Sequence, residues 1–154
     1  MAFDDYYFLE RAIHAGKQSH CVSKHVGCIA VIDKREILTG VNGTPPGFDN
    51  CDNVFDENCD EHNHWTKLHE LHAETNMIAY AAKKGISLEG ATIYCSHEPC
   101  TDCLKILTAI GAKRIVFRII FLANNANRDA RNEYISRCNI PIEHLPEIED
   151  HPLG

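Results

Sequence analysis

The sequence predicts an α/β fold: a three-layer sandwich in which one mixed five-stranded sheet has helices on both faces. Two observations lead to this fold class. Short apolar runs rich in β-branched residues alternate along the chain with longer stretches of helical periodicity. The first two predicted strands are joined by a short turn, whereas helices separate the later ones, so antiparallel and parallel pairing should occur in the same sheet.

The first part of the chain should form a helix followed by a β-hairpin. Residues 4–19 carry an apolar stripe, and two acidic residues lie at their N-terminal end, where the helix dipole favours negative charge. Residues 26–32 are a continuous apolar run, which predicts a buried strand. A polar turn then leads into the partner strand, residues 36–41.

Residues 42–65 predict a long loop, because they are dense in Gly, Pro, Asn and Asp. A loop of more than about 20 residues is uncommon in a compact domain and is usually functional. This one also carries two Cys and two His, Cys51, Cys59, His62 and His64.

The rest of the chain alternates helix and strand. The predicted helices are 71–84, 100–110 and 126–137. The predicted strands are 91–96, 114–121 and 140–145. The run 114–121 has almost no polar residue and should be buried on both faces, while Pro141 places the last strand at an edge. Residues 1–154 should form a single domain with a frayed tail from about residue 147.

Composition describes an ordinary globular chain of 154 residues, 44% hydrophobic and 24% charged. No apolar run approaches transmembrane length and the N-terminus is acidic, so we expect a cytoplasmic protein that does not bind membranes. The net charge of −7 argues against a polynucleotide partner and is compatible with a small substrate. In that compartment the eight Cys should be thiols or metal ligands rather than disulfides.

Two motifs carry the chemistry: His72-Ala73-Glu74, and Pro99-Cys100-Thr101-Asp102-Cys103. One His and two Cys can hold zinc through three of its four tetrahedral positions and leave the fourth for water. Glu74 is not needed as a ligand and can move protons to and from that water. Both motifs fall at predicted helix N-termini, where the dipole should lower the pKa of the Cys100 and Cys103 thiols.

The two motifs in this order resemble the signature of the zinc deaminases of nucleobases and nucleotides. Three further segments narrow the resemblance to the deoxycytidylate (dCMP) deaminases, especially the viral type. These segments are Val26-Gly27, residues 39–47 and residues 72–78. Only Met77 departs from the second of the family's patterns, where Ala is usual. The resemblance covers roughly residues 5–145 and implies a cytidine deaminase-like fold.

The resemblance implies hydrolysis of dCMP to dUMP and ammonia, which supplies thymidylate synthesis. It implies catalysis by Glu74 and a catalytic zinc on His72, Cys100 and Cys103. It further implies a homohexamer that dCTP activates and dTTP inhibits with Mg²⁺, in the cytoplasm of the host if the chain is viral. An intact Glu74 favours an enzyme over a purely structural zinc site.

The resemblance also assigns binding residues. Asn42 matches a residue that contacts the nucleotide, and we expect Ala73 and the backbone near Ser96 to line the base pocket. The segment around the effector site matches Asn42, Gly43, Thr44 and Gly47. A Gly-Pro turn without a ligand is the alternative for that segment.

Viral relatives hold a second zinc, and the matching positions are Cys21, Cys51, His62 and Glu70. A second metal would order the long loop, which has little apolar content of its own. The alternative is a solvated acidic loop, with Cys59 and His64 as substitute ligands or bystanders.

One segment departs from the family. Phe117 and Phe121 stand where Tyr is common near the substrate phosphate, and Arg118 is either a replacement ligand or a solvated edge residue. Other functions therefore stay open: a deaminase of another cytosine nucleoside or nucleotide, a tRNA adenosine deaminase, or a zinc-stabilised nucleotide sensor. A redox role for Cys100 and Cys103 would leave His72 and Glu74 without a purpose.

Overall fold

The computed structural model describes residues 4–120 and 125–148, without the side chains of 125–127. The helices are α1 Asp5–Gly16, α2 Cys51–Val54, α3 Asp60–His69, α4 Ala73–Lys84, α5 Thr101–Ala109 and α6 Asn125–Arg137. The strands are β1 Gly27–Ile32, β2 Arg35–Val41, β3 Thr92–His97, β4 Arg114–Ile119 and β5 Ile142–His144. They form one sheet in the order β2-β1-β3-β4-β5, antiparallel as far as β3 and parallel beyond it.

Helices cover both faces of this sheet, which confirms the predicted fold class. Because successive side chains of a strand point to opposite faces of the sheet, each central strand contributes side chains to the hydrophobic core on both faces. Ile29 of β1 and Tyr94 of β3 pack under Phe8 and Leu9 of α1. On the other face the α4 and α5 side chains, among them Met77, pack against alternate residues of the same strands.

The hairpin between β1 and β2 has a two-residue turn rather than the predicted three. Arg35 pairs with Ile32, and Asp33 and Lys34 both have positive φ, 52° and 60°. This pattern is typical of a type I′ turn, which favours Asn-Gly because other residues pay a steric cost there.

Replacing Lys34 by Gly should therefore raise the free energy of unfolding by about 1 kcal/mol. Chemical denaturation measures the change. Arg35→Gly is the matched control, because it removes a strand side chain at a negative φ and should lower stability. A Lys34→Gly variant less stable than the unchanged chain would contradict this interpretation of the turn.

The predicted loop 42–65 was wrong in part, because it contains α2 and the first part of α3. The thiol of Cys59 accepts the backbone N–H of His62 and caps α3. Acidic residues occupy the first turn of α3 and basic residues its last, which complements the helix dipole. The helix buries a single residue, His62, so it lacks the apolar periodicity by which helices are predicted.

Other boundaries moved by a few residues. The helix predicted from residue 71 begins at Ala73, because Leu71 pairs with Gly43 in a β-bridge. The strand predicted as buried on both faces ends at Ile119, which is 46% exposed. Phe121 and the tail from residue 149 lie outside the described residues.

One close approach fixes the start of α4 against the sheet. A Cβ atom on Gly40 of β2 would lie 2.2 Å from the carbonyl oxygen of Ala73 and 2.7 Å from Cβ of Met77. Only glycine allows this contact, which sets the position of the residues around Ala73. Within the described ranges, no helix is long and apolar enough to cross a bilayer.

Candidate active site and metal centres

The first predicted metal site comes together where two helices begin. His72 immediately precedes α4, and Cys100 immediately precedes α5. Nδ1 of His72 lies 3.5 Å from Sγ of Cys100 and 3.3 Å from Sγ of Cys103. Tetrahedral zinc with ordinary bond lengths would place a nitrogen and a sulfur ligand about 3.5 Å apart. The three side chains therefore fit a zinc ion without rearrangement.

The two thiols differ in their electrostatics, which corrects the prediction that both pKa values fall. Hydrogen bonding, chiefly from the Cys103 thiol, lowers the pKa of Cys100 to about 4. The same bond and burial raise the pKa of Cys103. One thiolate is stabilised by the other thiol, so a second negative charge in the same space is disfavoured. A divalent cation neutralises both charges and removes that conflict.

Glu74 is the second residue of α4 and is only 4% exposed. Burial raises the pKa of its carboxyl group, and the backbone N–H and the Cys103 thiol oppose that rise. The carboxylate is not a member of the His72–Cys100–Cys103 cluster. The geometry is therefore compatible with the predicted roles, in which three side chains bind the metal and the Glu74 carboxylate transfers protons.

His72, Glu74 and Cys100 line a cavity of about 430 Å³, a size suited to a small-molecule ligand. Of the predicted substrate-binding residues, Asn42 and Ala73 line it. The prediction for Ser96 concerned the backbone near it; Ser96 itself does not line the cavity, and its buried hydroxyl accepts a hydrogen bond from the backbone N–H of Gly27 at 3.0 Å. Its neighbour His97 lines the wall instead.

Asn42 also holds the wall of this cavity together. Its amide oxygen accepts the backbone N–H of Val26 at 2.9 Å, and its amide nitrogen donates to the carbonyl of Lys24 at 3.0 Å. Gly43 exchanges two backbone hydrogen bonds with Leu71, next to His72. Gly43, Thr44 and Gly47 do not line the cavity. Of the predicted effector residues, Asn42 thus lines the cavity itself, and Gly43 is linked to it through its backbone pairing with Leu71.

Three of the four ligands predicted for the second metal site lie together. Nε2 of His62 lies 3.0 Å from Sγ of Cys51 and 3.8 Å from Sγ of Cys21, and all three residues are buried. Nδ1 of His62 contacts the amide oxygen of Asn58 at 3.0 Å. A donor N–H at Nδ1 leaves the lone pair of Nε2 directed at the sulfurs, as in metal-binding histidines.

Glu70, the fourth predicted ligand, is not a member of the cluster of Cys21, Cys51 and His62, but it lines the same cavity as Cys21 and His62. Its Oε1 is buried and has no hydrogen-bond partner within the described part of the chain. Desolvation raises the pKa of Cys51 to about 11, and the charge of Glu70 contributes to that rise. Buried anionic groups without donors are costly unless a metal binds them. The substitutes Cys59 and His64 lie outside the cluster, which contains Cys21, Cys51 and His62.

Sequence reasoning missed an ion-pair cluster behind the second motif. Glu98 is 8% exposed and pairs with Arg128 at 2.8 Å and Arg131 at 3.0 Å. Nε of Arg131 also donates to the carbonyl of Pro99. The cluster braces the turn that presents Cys100. The position of Glu98 next to the motif was the one feature of the sequence that could have indicated this ion-pair cluster.

Arg118 takes neither of the two roles considered for it. Its side chain pairs with Glu10 of α1 at 3.1 Å, and its Nε donates to the carbonyl of Leu145. Phe117 is buried and stacks on His144. Both residues therefore hold the fold together, and neither lines the cavity.

Comparison with known proteins agrees with this geometry. Residues 3–119 match the family model for the cytidine and deoxycytidylate deaminase zinc-binding region. The chain is 31% identical over 169 residues to the deoxycytidylate deaminase of Enterobacteria phage T2, covering 86% of this chain and 90% of the phage protein. The Schizosaccharomyces pombe deoxycytidylate deaminase is 36% identical over 117 residues, 73% of this chain and 36% of the yeast protein.

Solved structures agree as well. The crystal structure of dCMP deaminase from cyanophage S-TIM5, in complex with dCMP and dUMP, superposes with a TM-score of 0.71 at 26% identity. That match covers 91% of this chain and 95% of the cyanophage chain. Since the family model spans most of the sequence and its zinc-binding motifs converge at one cavity, the chain belongs to the cytidine and deoxycytidylate deaminase zinc-binding family.

Proposed function

We propose that this protein hydrolyses dCMP to dUMP and ammonia, and so supplies dUMP for thymidylate synthesis. The observation that carries the proposal is the buried Glu74 carboxylate beside the His72–Cys100–Cys103 cluster, at one wall of a nucleotide-sized cavity. The phage and yeast relatives named for this reaction support the choice of substrate.

Zinc bound by His72, Cys100 and Cys103 would supply an acidic water as the nucleophile for C4 of cytosine. Glu74 accepts the proton of that water and passes it to N3 of the ring. It then takes the remaining proton from the hydroxyl group now on C4 and delivers it to the amino group, so that the C4–N bond breaks and ammonia leaves. The burial that raises the pKa of Glu74 suits this task, because the carboxylate must be able to hold a proton between the steps.

The proposal includes a second zinc held by Cys21, Cys51, His62 and Glu70. The donor set is typical of structural zinc, and the unpaired buried oxygen of Glu70 supports it. This ion would act on structure, because its ligands join α2 and α3 to the segments before β1 and α4. It would order a part of the chain that buries few apolar side chains.

The family resemblance adds regulation and assembly to the proposal. The protein would be a homohexamer, activated by dCTP and inhibited by dTTP with Mg²⁺, and it would act in the cytoplasm, that of the host if it is viral. The backbone pairing of Gly43 with Leu71 supports the regulatory part, since it links the proposed effector segment to the residue before His72.

Ammonia release from four substrates tests the proposal: dCMP, deoxycytidine, CMP and adenosine in tRNA, each with and without dCTP and Mg²⁺. Turnover of dCMP that rises with dCTP is the expected result. Turnover of deoxycytidine alone would instead favour a nucleoside deaminase. No turnover by the zinc-loaded protein would overturn the proposal and favour a nucleotide sensor.

A further inference from the structure

Helix α3 forms one wall of the active-site cavity, although its sequence contains neither of the two catalytic motifs. Asn63, Thr66 and Lys67 all line the cavity. Residues three and four apart lie on one face of a helix, so these three side chains form a single surface. The adjacent strip of the same helix carries His62 of the second cluster.

Two of these side chains, those of Asn63 and Lys67, have no hydrogen-bond or ion-pair partner among the described residues. The amide of Asn63 and the ammonium group of Lys67 make no hydrogen bond or ion pair there, whereas the hydroxyl of Thr66 donates to the carbonyl of Asn63. Glu70, one turn after Lys67, forms no ion pair with it within the described residues, and the buried Oε1 of Glu70 has no hydrogen-bond partner there. Lys67 therefore presents an uncompensated positive charge to the cavity.

The arginines near the site are already paired with carboxylates. Arg128 and Arg131 meet Glu98, and Arg118 meets Glu10. Among the described residues that line the cavity, the lysines are Lys24 and Lys67. Lys24 already takes part in another interaction within the protein. Lys67 is therefore the lining lysine for which the described residues supply no partner.

The shape of a nucleotide explains why an anion should reach this wall. The amino-bearing carbon of the base must approach Glu74 and the His72–Cys100–Cys103 cluster, which α4 and α5 provide. A 5′-phosphate is attached across the sugar from the base, so it points away from that wall. Away from the metal cluster, the cavity is lined by α3, by residues between 21 and 26, and by Asn42, with His97, Glu98 and Pro99 beside Cys100.

We propose that Lys67, with Asn63 one turn before it, binds the 5′-phosphate and makes the site select a nucleotide over a nucleoside. The inference rests on the proposed function, whose substrate it specifies. It also gives the Cys21–Cys51–His62 cluster a purpose in catalysis, because that cluster anchors the helix that carries Lys67. Lys67 is thus a specificity residue on a segment whose position depends on the second metal centre.

Binding of dUMP and deoxyuridine to the zinc-loaded protein tests the inference without requiring turnover. Lys67→Met should weaken dUMP about 10- to 100-fold, the usual range for a hydrogen bond to a charged group, and leave deoxyuridine unchanged. Lys67→Arg should restore most of the affinity for dUMP. Lys113→Met removes an exposed lysine outside the cavity and is the matched control.

The outcomes separate the two proposals. Equal affinity of Lys67→Met and the unchanged protein for dUMP would overturn the inference, and so would an equal loss for dUMP and deoxyuridine. Loss confined to dUMP would support it. If that selective loss occurs in a protein that deaminates neither dCMP nor deoxycytidine, the phosphate site stands and the proposed reaction fails. Zinc content of each variant, measured in parallel, must match that of the unchanged protein.

Discussion

Glu74→Gln should lower kcat on dCMP by about 10²- to 10⁴-fold while the zinc content stays unchanged. The amide is almost the same size as the carboxylate, so the buried position at the start of α4 remains filled. It cannot accept a proton from water or return one to the leaving amine, so both proton transfers fail. Because Glu74 lies outside the three-ligand cluster, the loss should appear in kcat rather than in metal binding.

Asp102→Asn is the control for this variant. Asp102 also belongs to a motif, between the two cysteines, but its side chain is 85% exposed and pairs with Lys105. Screening by solvent should keep its effect on kcat small. Steady-state kinetics together with metal analysis measures both quantities. A Glu74→Gln protein with near-normal kcat would remove Glu74 from the mechanism, and one without zinc would make Glu74 a ligand.

Cys51→Ser should reduce the zinc content from two ions to one per chain and lower the unfolding temperature by about 10 °C or more. The expectation follows because a structural zinc site contributes several kcal/mol, and each kcal/mol shifts the transition of a chain of this size by about 3 °C. Loss of the ion would also leave the buried His62 and the buried Oε1 of Glu70 without a cation. Metal analysis and calorimetry measure the two effects.

Cys59→Ser is the matched control within the same segment. Cys59 is eight residues from Cys51 in the sequence, but it caps α3 and lies outside the cluster. Serine is a preferred residue at a helix N-cap, so this variant should keep both zinc ions and at least the same stability. One zinc per chain in the unchanged protein would contradict the second centre.

The catalytic cluster could be predicted from sequence because its information is local. The pairs His72/Glu74 and Cys100/Cys103 each lie within a single helix start, where spacing along the chain determines spacing in three dimensions. The alternation of apolar runs likewise determined the sheet and its two covered faces, since burial on a pleated strand has a period of two residues.

Helix α3 could not be predicted in the same way. Its stability comes from a thiol cap, from charges at its ends and from the contact of His62 with Cys21 and Cys51, none of which produces apolar periodicity. Charged residues at both ends of α3 were a usable signal, but the Gly- and Asn-rich surroundings concealed it.

The sequence by itself determined the fold class, the zinc motifs and the chemistry they can perform, because each depends on residues close together in the chain. Only the tertiary structure decided that Ser96 faces the start of β1 and that Arg118 binds Glu10. It also decided that Lys67 of α3 shares a cavity with Glu74. These relations join distant segments, and the direction of a side chain across such a gap depends on how the helices pack against the sheet.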